Sequence, residues 1–295
     1  RFATGAENLQ SEESTNSSIG FVIQPEQLEG LTITYDTWKI EKDKTIGLFG
    51  RDNHTVLDLA MLIENGASNC DSFTGNSAVL RDTDELDDGV LALFATAGIC
   101  PVGQAYRVTD EYINMAKRTL EGQDVGVNYN FDTDVGTFRF KYNVTFTDTF
   151  KQVPTGNFST IQNAQASGAI PDYIVLKGFG DLLGIDGNYD EKHSMKLSWR
   201  KGDWGASLSG LKKGSFTQSS LTLGDGTKYN IPSMTTMDAS VYYKFKVGDG
   251  SARIKFAVKN LEDTRAPTAD RFFGFFADAH QDYGRNYYLS LKVDM

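Results

Sequence analysis

Nine stretches of this sequence alternate apolar and polar residues at a period of two, and this pattern limits the fold more than any other feature. In the last stretch, Tyr287, Leu289, Leu291, Val293 and Met295 fall on one side, and Tyr288, Ser290, Lys292 and Asp294 on the other. Successive side chains of a strand point to opposite faces, so such a stretch reads as a β-strand with one apolar and one polar face. The cleanest case sets Phe138, Phe140, Tyr142, Val144 and Phe146 against Arg139, Lys141, Asn143, Thr145 and Thr147. Ile19, Phe21 and Ile23 mark a strand near 14–24, Leu31, Ile33 and Tyr35 one near 31–40, and Val125, Val127, Tyr129 and Phe131 one near 123–131. Met195, Leu197 and Trp199 mark 192–200, and Ala206 and Leu208 the strand from 204. Ala239, Val241, Tyr243, Phe245 and Val247 mark the seventh, and Ile254, Phe256 and Val258 the eighth.

The connections decide what the apolar face meets. Short ones at 25–30, 132–136, 201–203 and 248–251 alternate with long ones at roughly 45–112, 150–188, 212–234 and 262–284. A soluble sandwich has no reason to place every long loop at one end, whereas an outer-membrane barrel has tight periplasmic turns and long outer loops. Aromatics flank the short turns (Phe131 with Phe138, Trp199 with Trp204, and Phe245), as in an interfacial girdle. All six prolines lie in connections or at strand ends, which a hydrogen-bonded sheet requires. A Lys or Arg facing mid-bilayer costs roughly 2–4 kcal/mol, and the apolar sets contain none. The opposite faces collect Arg139, Lys141, Lys196, Arg200, Lys244, Lys246, Arg253, Lys255 and Lys259. That distribution alone also fits the solvent face of a soluble sheet; loop parity tips it towards a barrel. Mean hydropathy of −0.36 does not separate the two, because only alternate residues of a barrel strand face lipid.

A net charge of −10 argues against a nucleic-acid partner. Cys70 and Cys100 are the only cysteines and belong to no Cys/His cluster, so a single disulfide is expected rather than zinc. It would close a loop of about thirty residues, for which the chain-entropy model gives roughly 3–4 kcal/mol. Both cysteines lie in the large 45–112 loop, where Asn53 reads as an N-cap and Val56, Leu59, Ala60 and Ile63 follow helical spacing. Asp82, Asp84, Asp87 and Asp88, with Glu85, are a weak calcium candidate; their spacing is not that of an EF-hand, and a solvated acidic face is the plainer reading. Phe272, Phe273, Phe275 and Phe276 either touch a ligand or pack loops together. His54, His193 and His280 are scattered without an HExxH pattern, and Gly205 to Gly210 is not a nucleophile elbow. Nothing calls for a catalytic residue or a cofactor, and no enzyme is expected.

Three motifs in chain order carry a family resemblance. Gly284-Arg285-Asn286-Tyr287-Tyr288 with Leu291-Lys292, Val258-Lys259-Asn260-Leu261-Glu262-Asp263, and Asn8-Leu9 with Glu12 to Ser14 together resemble the C-terminal part of a TonB-dependent outer-membrane receptor. Ser11 stands where that family usually has Pro, and Met295 where it has a terminal aromatic. The resemblance implies an all-β, antiparallel up-and-down transmembrane barrel of roughly 22 strands with its lumen blocked by an N-terminal plug. This chain would supply about nine C-terminal strands over 1–295, without the plug or TonB box, and 45–112 would be a large extracellular loop. The inward basic residues would then face the plug or line the lumen. The implied partners are outer-membrane lipid of a Gram-negative bacterium, TonB with ExbB and ExbD, the barrel-assembly machinery through the last strand, and a small-molecule or oligomeric ligand. Energy-coupled uptake of a ferric siderophore is the leading expectation. The alternatives are a passive porin or surface-receptor barrel and a soluble secreted β-rich binding protein.

Overall fold

The computed structural model describes residues 2–294 apart from 83, 155, 172 and 175, so the outward position expected for Met295 lies outside the described residues. The elements in chain order are β1 (Phe2–Thr4), β2 (Glu13–Ile23), β3 (Leu31–Asp43), β4 (Thr45–Leu48), α1 (Arg51–Asn65), β5 (Val79–Arg81), α2 (Asp88–Ala97), β6 (Ala105–Met115), β7 (Arg118–Thr133) and β8 (Gly136–Gln152). Then follow α3 (Asn157–Ala166), β9 (Gly180–Asp181), β10 (Glu191–Lys201), β11 (Trp204–Lys213), β12 (Phe216–Thr222), β13 (Lys228–Ile231), β14 (Met234–Val247), β15 (Gly250–Lys259) and β16 (Asn286–Asp294).

All nine expected strands are present, and they share one sheet in the order β16-β15-β14-β11-β10-β8-β7-β3-β2. Skipping the small inserted strands, that is strict chain order, as an up-and-down topology demands. The five pairings from β8 to β16 are antiparallel, and their register extends the two-faced pattern across strands. One apolar row runs Phe140, Leu197, Leu208, Ala239, Val258, Tyr287; the next runs Phe138, Trp199, Ala206, Val241, Phe256, Leu289. A one-residue slip at any pairing would interleave these rows with lysines and arginines, so the pattern itself fixes the register. Among the described residues these rows stay open, Val241 at 39%, Phe256 at 45% and Leu289 at 73% exposed, with Leu197, Trp199 and Leu208 half-buried. A surface of this extent is buried only by lipid or a partner. The sheet is unclosed, with β2 and β16 at its edges. β7 has 16 residues and β8 has 17, whereas a tilted strand crosses a bilayer in about 9–11. The excess lies towards the long connections.

The chain divides into two compact units, residues 16–40, 120–150 and 182–295, and residues 1–15, 41–119 and 151–181. The first unit holds most of the sheet, with a small satellite core of Phe216, Ile231, Ala269, Phe276 and Ala279 formed by the β12–β13 hairpin and the 262–285 connection. In the second unit β6 pairs in parallel with β1 and antiparallel with β4 and β5. Beside it, α1 and α3 bury Leu57, Phe158 and Ile161 with Phe49 and Phe179.

Two sequence expectations for α1 are corrected. The helix begins at Arg51 with Gly50 as its N-cap, so Asn53 is not the cap. Asn53 is 1% exposed and bonds outside the helix, donating to Phe49 O (2.6 Å) and Lys177 O (2.9 Å) and accepting from Lys177 N (3.1 Å). The buried residues are Asn53, His54, Leu57, Asp58, Ala60 and Leu62; of the expected Val56, Leu59, Ala60 and Ile63, Ala60 is fully buried and Val56 is partly buried against the core. Half of that buried set is polar. Hydrophobic spacing therefore found the helix but missed the polar members of its buried face.

Candidate functional site

The polar face of the sheet is the largest chemically distinctive surface. Register brings Lys141 opposite Lys196 and Arg139 opposite Ser198, while Arg200 sits opposite Thr137 and Gly205. Lys244 faces Arg253, which in turn faces Lys292, and Lys255 lies between Tyr242 and Ser290. Lys246 faces Ser251 and Lys259 faces Asn286. All nine basic residues expected on the inner face are thus on one side of one sheet. Among the described residues none of the nine forms an ion pair with a carboxylate, although Lys292 pairs with Asp294 at 2.9 Å. A concavity of about 320 Å³ is lined by Arg139, Lys196, Arg200, Arg253 and Lys255 with the hydroxyl residues Thr137, Ser198, Ser207, Ser240 and Tyr242. It contains five cations and no acid.

Tyr242 holds this wall in shape. Its ring lies over Gly205, where an added Cβ would meet ring atoms at 2.3 Å, and the Arg253 guanidinium lies over the ring at 5.6 Å from the centroid. A ring covering a cross-strand glycine replaces the missing side chain in packing the sheet. Trp38 covers Gly122 in the same way. Both aromatics stand on the polar parity of their strands, and that exception to the alternation was their sequence signal.

Towards the long connections a cleft of about 630 Å³ opens, lined among others by Lys213, Asp238, Lys259, His280, Tyr283 and Tyr288. His280 is 2% exposed, stacks on Phe216 at 5.6 Å and has no hydrogen-bond partner on either ring nitrogen. Burial, and then the nearby Lys213 ammonium, holds its pKa below the usual histidine value. Lys213 Nζ donates to the carbonyl of Ala279. The 262–285 connection is clamped by Arg265, which pairs with Asp282, while Ala266 N also donates to Asp282 at 2.8 Å. The hydrogen bond from Arg265 and then that from Ala266 N lower the Asp282 carboxyl to about 2. Neither His280 nor this clamp stood out in the sequence, because no spacing rule marks them.

The four phenylalanines divide. Phe276 is buried in the satellite core and Phe275 is half-buried, whereas Phe272 (95% exposed) and Phe273 (67%) form an open edge-to-face pair at 5.0 Å. Cys70 and Cys100 are joined as a disulfide with a Cα separation of 5.1 Å. In the acidic stretch, Asp87 caps α2 by accepting from Val90 N at 2.9 Å, and Asp82 accepts from Gln104 N at 3.0 Å. Among the described residues no group of three His, Cys, Asp or Glu side chains gathers as a metal site. His54 and Asp58 belong to a buried polar network: His54 Nε2 lies 3.2 Å from Asp110, its Nδ1 3.2 Å from Asn76, and Asp58 pairs with Arg81. It reads as the polar interior of α1.

Comparison with known proteins agrees with this geometry. Residues 1–261 match the family described as TonB dependent receptor-like, beta-barrel. The siderophore receptor PirA from Acinetobacter baumannii superimposes with a TM-score of 0.55 at 15% identity, over 98% of this chain and 32% of that one. A variant of the ferric enterobactin receptor PfeA from Pseudomonas aeruginosa gives 0.52 at 14% identity, over 96% and 31%. The FrpB iron transporter from Neisseria meningitidis gives 0.52 at 11% identity, over 98% and 31%. At these identities the likeness concerns the fold. The chain spans about a third of the length of these structures. No curated protein matches it.

Proposed function

Because the chain belongs to the TonB-dependent receptor-like β-barrel family, we propose that it supplies the C-terminal strands of an outer-membrane transporter that takes up a scarce ligand by energy coupling. The observation that carries this reading is the two-faced sheet, whose apolar rows suit lipid and whose opposite wall bears basic residues without carboxylate partners. On this reading 1–295 is the C-terminal portion of the barrel domain, and 45–112 projects outside the cell. The nine basic residues face a plug carried by the rest of the protein, whose carboxylates would relieve the repulsion between Lys141 and Lys196 and between Lys244 and Arg253. TonB, driven through ExbB and ExbD, acts on that plug, and the barrel-assembly machinery engages β16. A ferric siderophore is the favoured cargo, supported by the iron and siderophore specificities that name the superimposed structures. Phe272 and Phe273 are the aromatics placed to meet it, while Phe275 and Phe276 serve the loop's packing.

The test is uptake. Deleting the gene should abolish growth on at least one ferric siderophore as sole iron source, and restoring it should rescue growth only in cells with TonB. Uptake that persists without TonB would favour the passive-barrel reading. A chain that stays in aqueous solution without detergent and shows no heat-modifiable gel migration would favour the soluble one.

A further inference from the structure

The apolar face of the sheet is not uniformly bulky. On β11 and β14, Ala206 and Ala239 sit where neighbouring strands carry Trp199, Leu197, Phe256 and Val258, and the outcome is a trough of about 340 Å³. Leu208 and Val241 complete its apolar lining. Ser207 and Ser240 also border it, but by register their side chains stand on the opposite, polar face, where their hydroxyls bond to each other at 3.0 Å. Both rims are fixed in advance. Trp199 Nε1 donates to Val135 O at 2.7 Å, and Phe256 stacks on Tyr287 at 6.3 Å and 21°.

We propose that this trough holds the acyl chain of one phospholipid as a discrete site, distinct from the fluid lipid around the barrel; the inference rests on the lipid-facing reading above. The trough is continuous with the apolar rows on both sides, so its occupant comes from whatever medium covers those rows. Its lining offers no directional polar group, which excludes a polar headgroup or a peptide backbone within it. Trp204 and Tyr243, with centroids 4.7 Å apart, lie one row nearer the short turns. Tyr and Trp rings concentrate at headgroup level, which places the headgroup there and the acyl chain along the trough.

Burial of apolar area cannot drive this binding, since a lipid tail leaves one apolar medium for another. What favours it is dispersion: an unfilled trough leaves its lining without contacting atoms on one side. Rims already held in place lose little freedom on binding, which is the advantage of preorganisation. Occupancy should therefore depend on the shape of the trough more than on its hydrophobicity.

The full-length receptor, purified in mild detergent and examined by native mass spectrometry, should retain a bound phospholipid. Ala206→Trp and Ala239→Phe, which fill the trough with apolar groups, should each lower the retained fraction at least about tenfold, the change that 1.4 kcal/mol of lost affinity produces. Leu291→Trp, on the same face but on β16, three strands from Ala206 and two from Ala239, should leave it unchanged. Heat-modifiable migration checks that each variant has folded. Folded wild-type receptor retaining no phospholipid, or filled variants retaining as much as wild type, would overturn the proposal. A chain that never enters membranes would instead overturn the lipid-facing reading beneath it.

Discussion

Removing the Cys70–Cys100 bond offers the sharpest test of how the inserted unit is held. The cysteines are 30 residues apart, and the chain-entropy model gives about 3–4 kcal/mol for closing a loop of that size. That stabilisation appears only when the cross-link constrains the opened state. While α1 and β6 stay folded they already pin both ends of the 66–104 segment, so a local opening of α2 gains little freedom from losing the bond. An opening that releases α1 gains all of it. α2 has no buried residue, whereas α1 contributes Leu57 at 4% exposure and Leu62 at 3%. In a Cys70→Ser, Cys100→Ala double variant, amides in α1 should exchange several hundred-fold faster, the equivalent of 3–4 kcal/mol at about tenfold per 1.4 kcal/mol. Amides in α2 should change by less than about tenfold on the same scale. Hydrogen exchange followed by mass spectrometry resolves the two helices. Equal acceleration in both, or no acceleration in α1, would refute the reasoning.

Three further outcomes follow from packing and charge, two in the 262–285 connection and one on the polar side of the sheet. His280 is held neutral by burial beside Lys213, so the unfolded connection binds more protons than the folded one below the ordinary histidine pKa of about 6.5. The 262–285 connection should therefore lose protection as pH falls below that value, and His280→Phe should flatten the dependence; an unchanged pH profile in the variant would count against it. Asp282 has the same sign from the carboxylate side: its contribution is present above about 3.9 and lost as pH falls towards about 2. Asp282→Asn should remove that acid-range loss, read as proteolysis of the connection against pH. Gly205→Ala forces Tyr242 off its seat, an overpacking cost of about 1–3 kcal/mol. Combining it with Tyr242→Ala should be less destabilising than the two changes added together, measured by urea unfolding in lipid; strict additivity would show that the ring does not rest on Gly205.

The strands were legible because each one announces its own face. A residue such as Leu197 needs only its neighbours two positions away to declare which side it joins, and the register then aligns Leu197 with Leu208 and Phe140 without further information. The insertion was not legible by the same means. α1 buries Asn53, His54 and Asp58 because partners 18 to 124 residues away help complete their hydrogen bonds, and no local pattern encodes those partners. Phe272 and Phe276 show the same limit within five residues. They are identical in type, yet one stands in the open and the other is buried against Phe216 at 5.0 Å.

The polar face lies between these extremes. Its parity put all nine basic residues on one side, and the register keeps them there, but parity says nothing of what balances them. The pairing of Lys141 with Lys196, and the row Lys244, Arg253, Lys292, put like charges directly opposite on adjacent strands. Such pairs are destabilising in a sheet that stands alone, and a sheet with solvent on its polar side has no reason to accumulate them. Water screens exposed charges over about 8–10 Å, so the repulsion is tolerable on an open wall. It grows once a closed barrel excludes much of that water, because charges in a lower dielectric interact more strongly. On the proposed reading closure and an anionic neighbour go together: a step that brought the edges β2 and β16 into a complete barrel would favour carboxylates opposite this wall. Lys196→Glu in the full-length receptor separates the contributions. It turns the Lys141 contact attractive, so it should stabilise the strands if the wall stands empty and weaken the receptor if carboxylates oppose it.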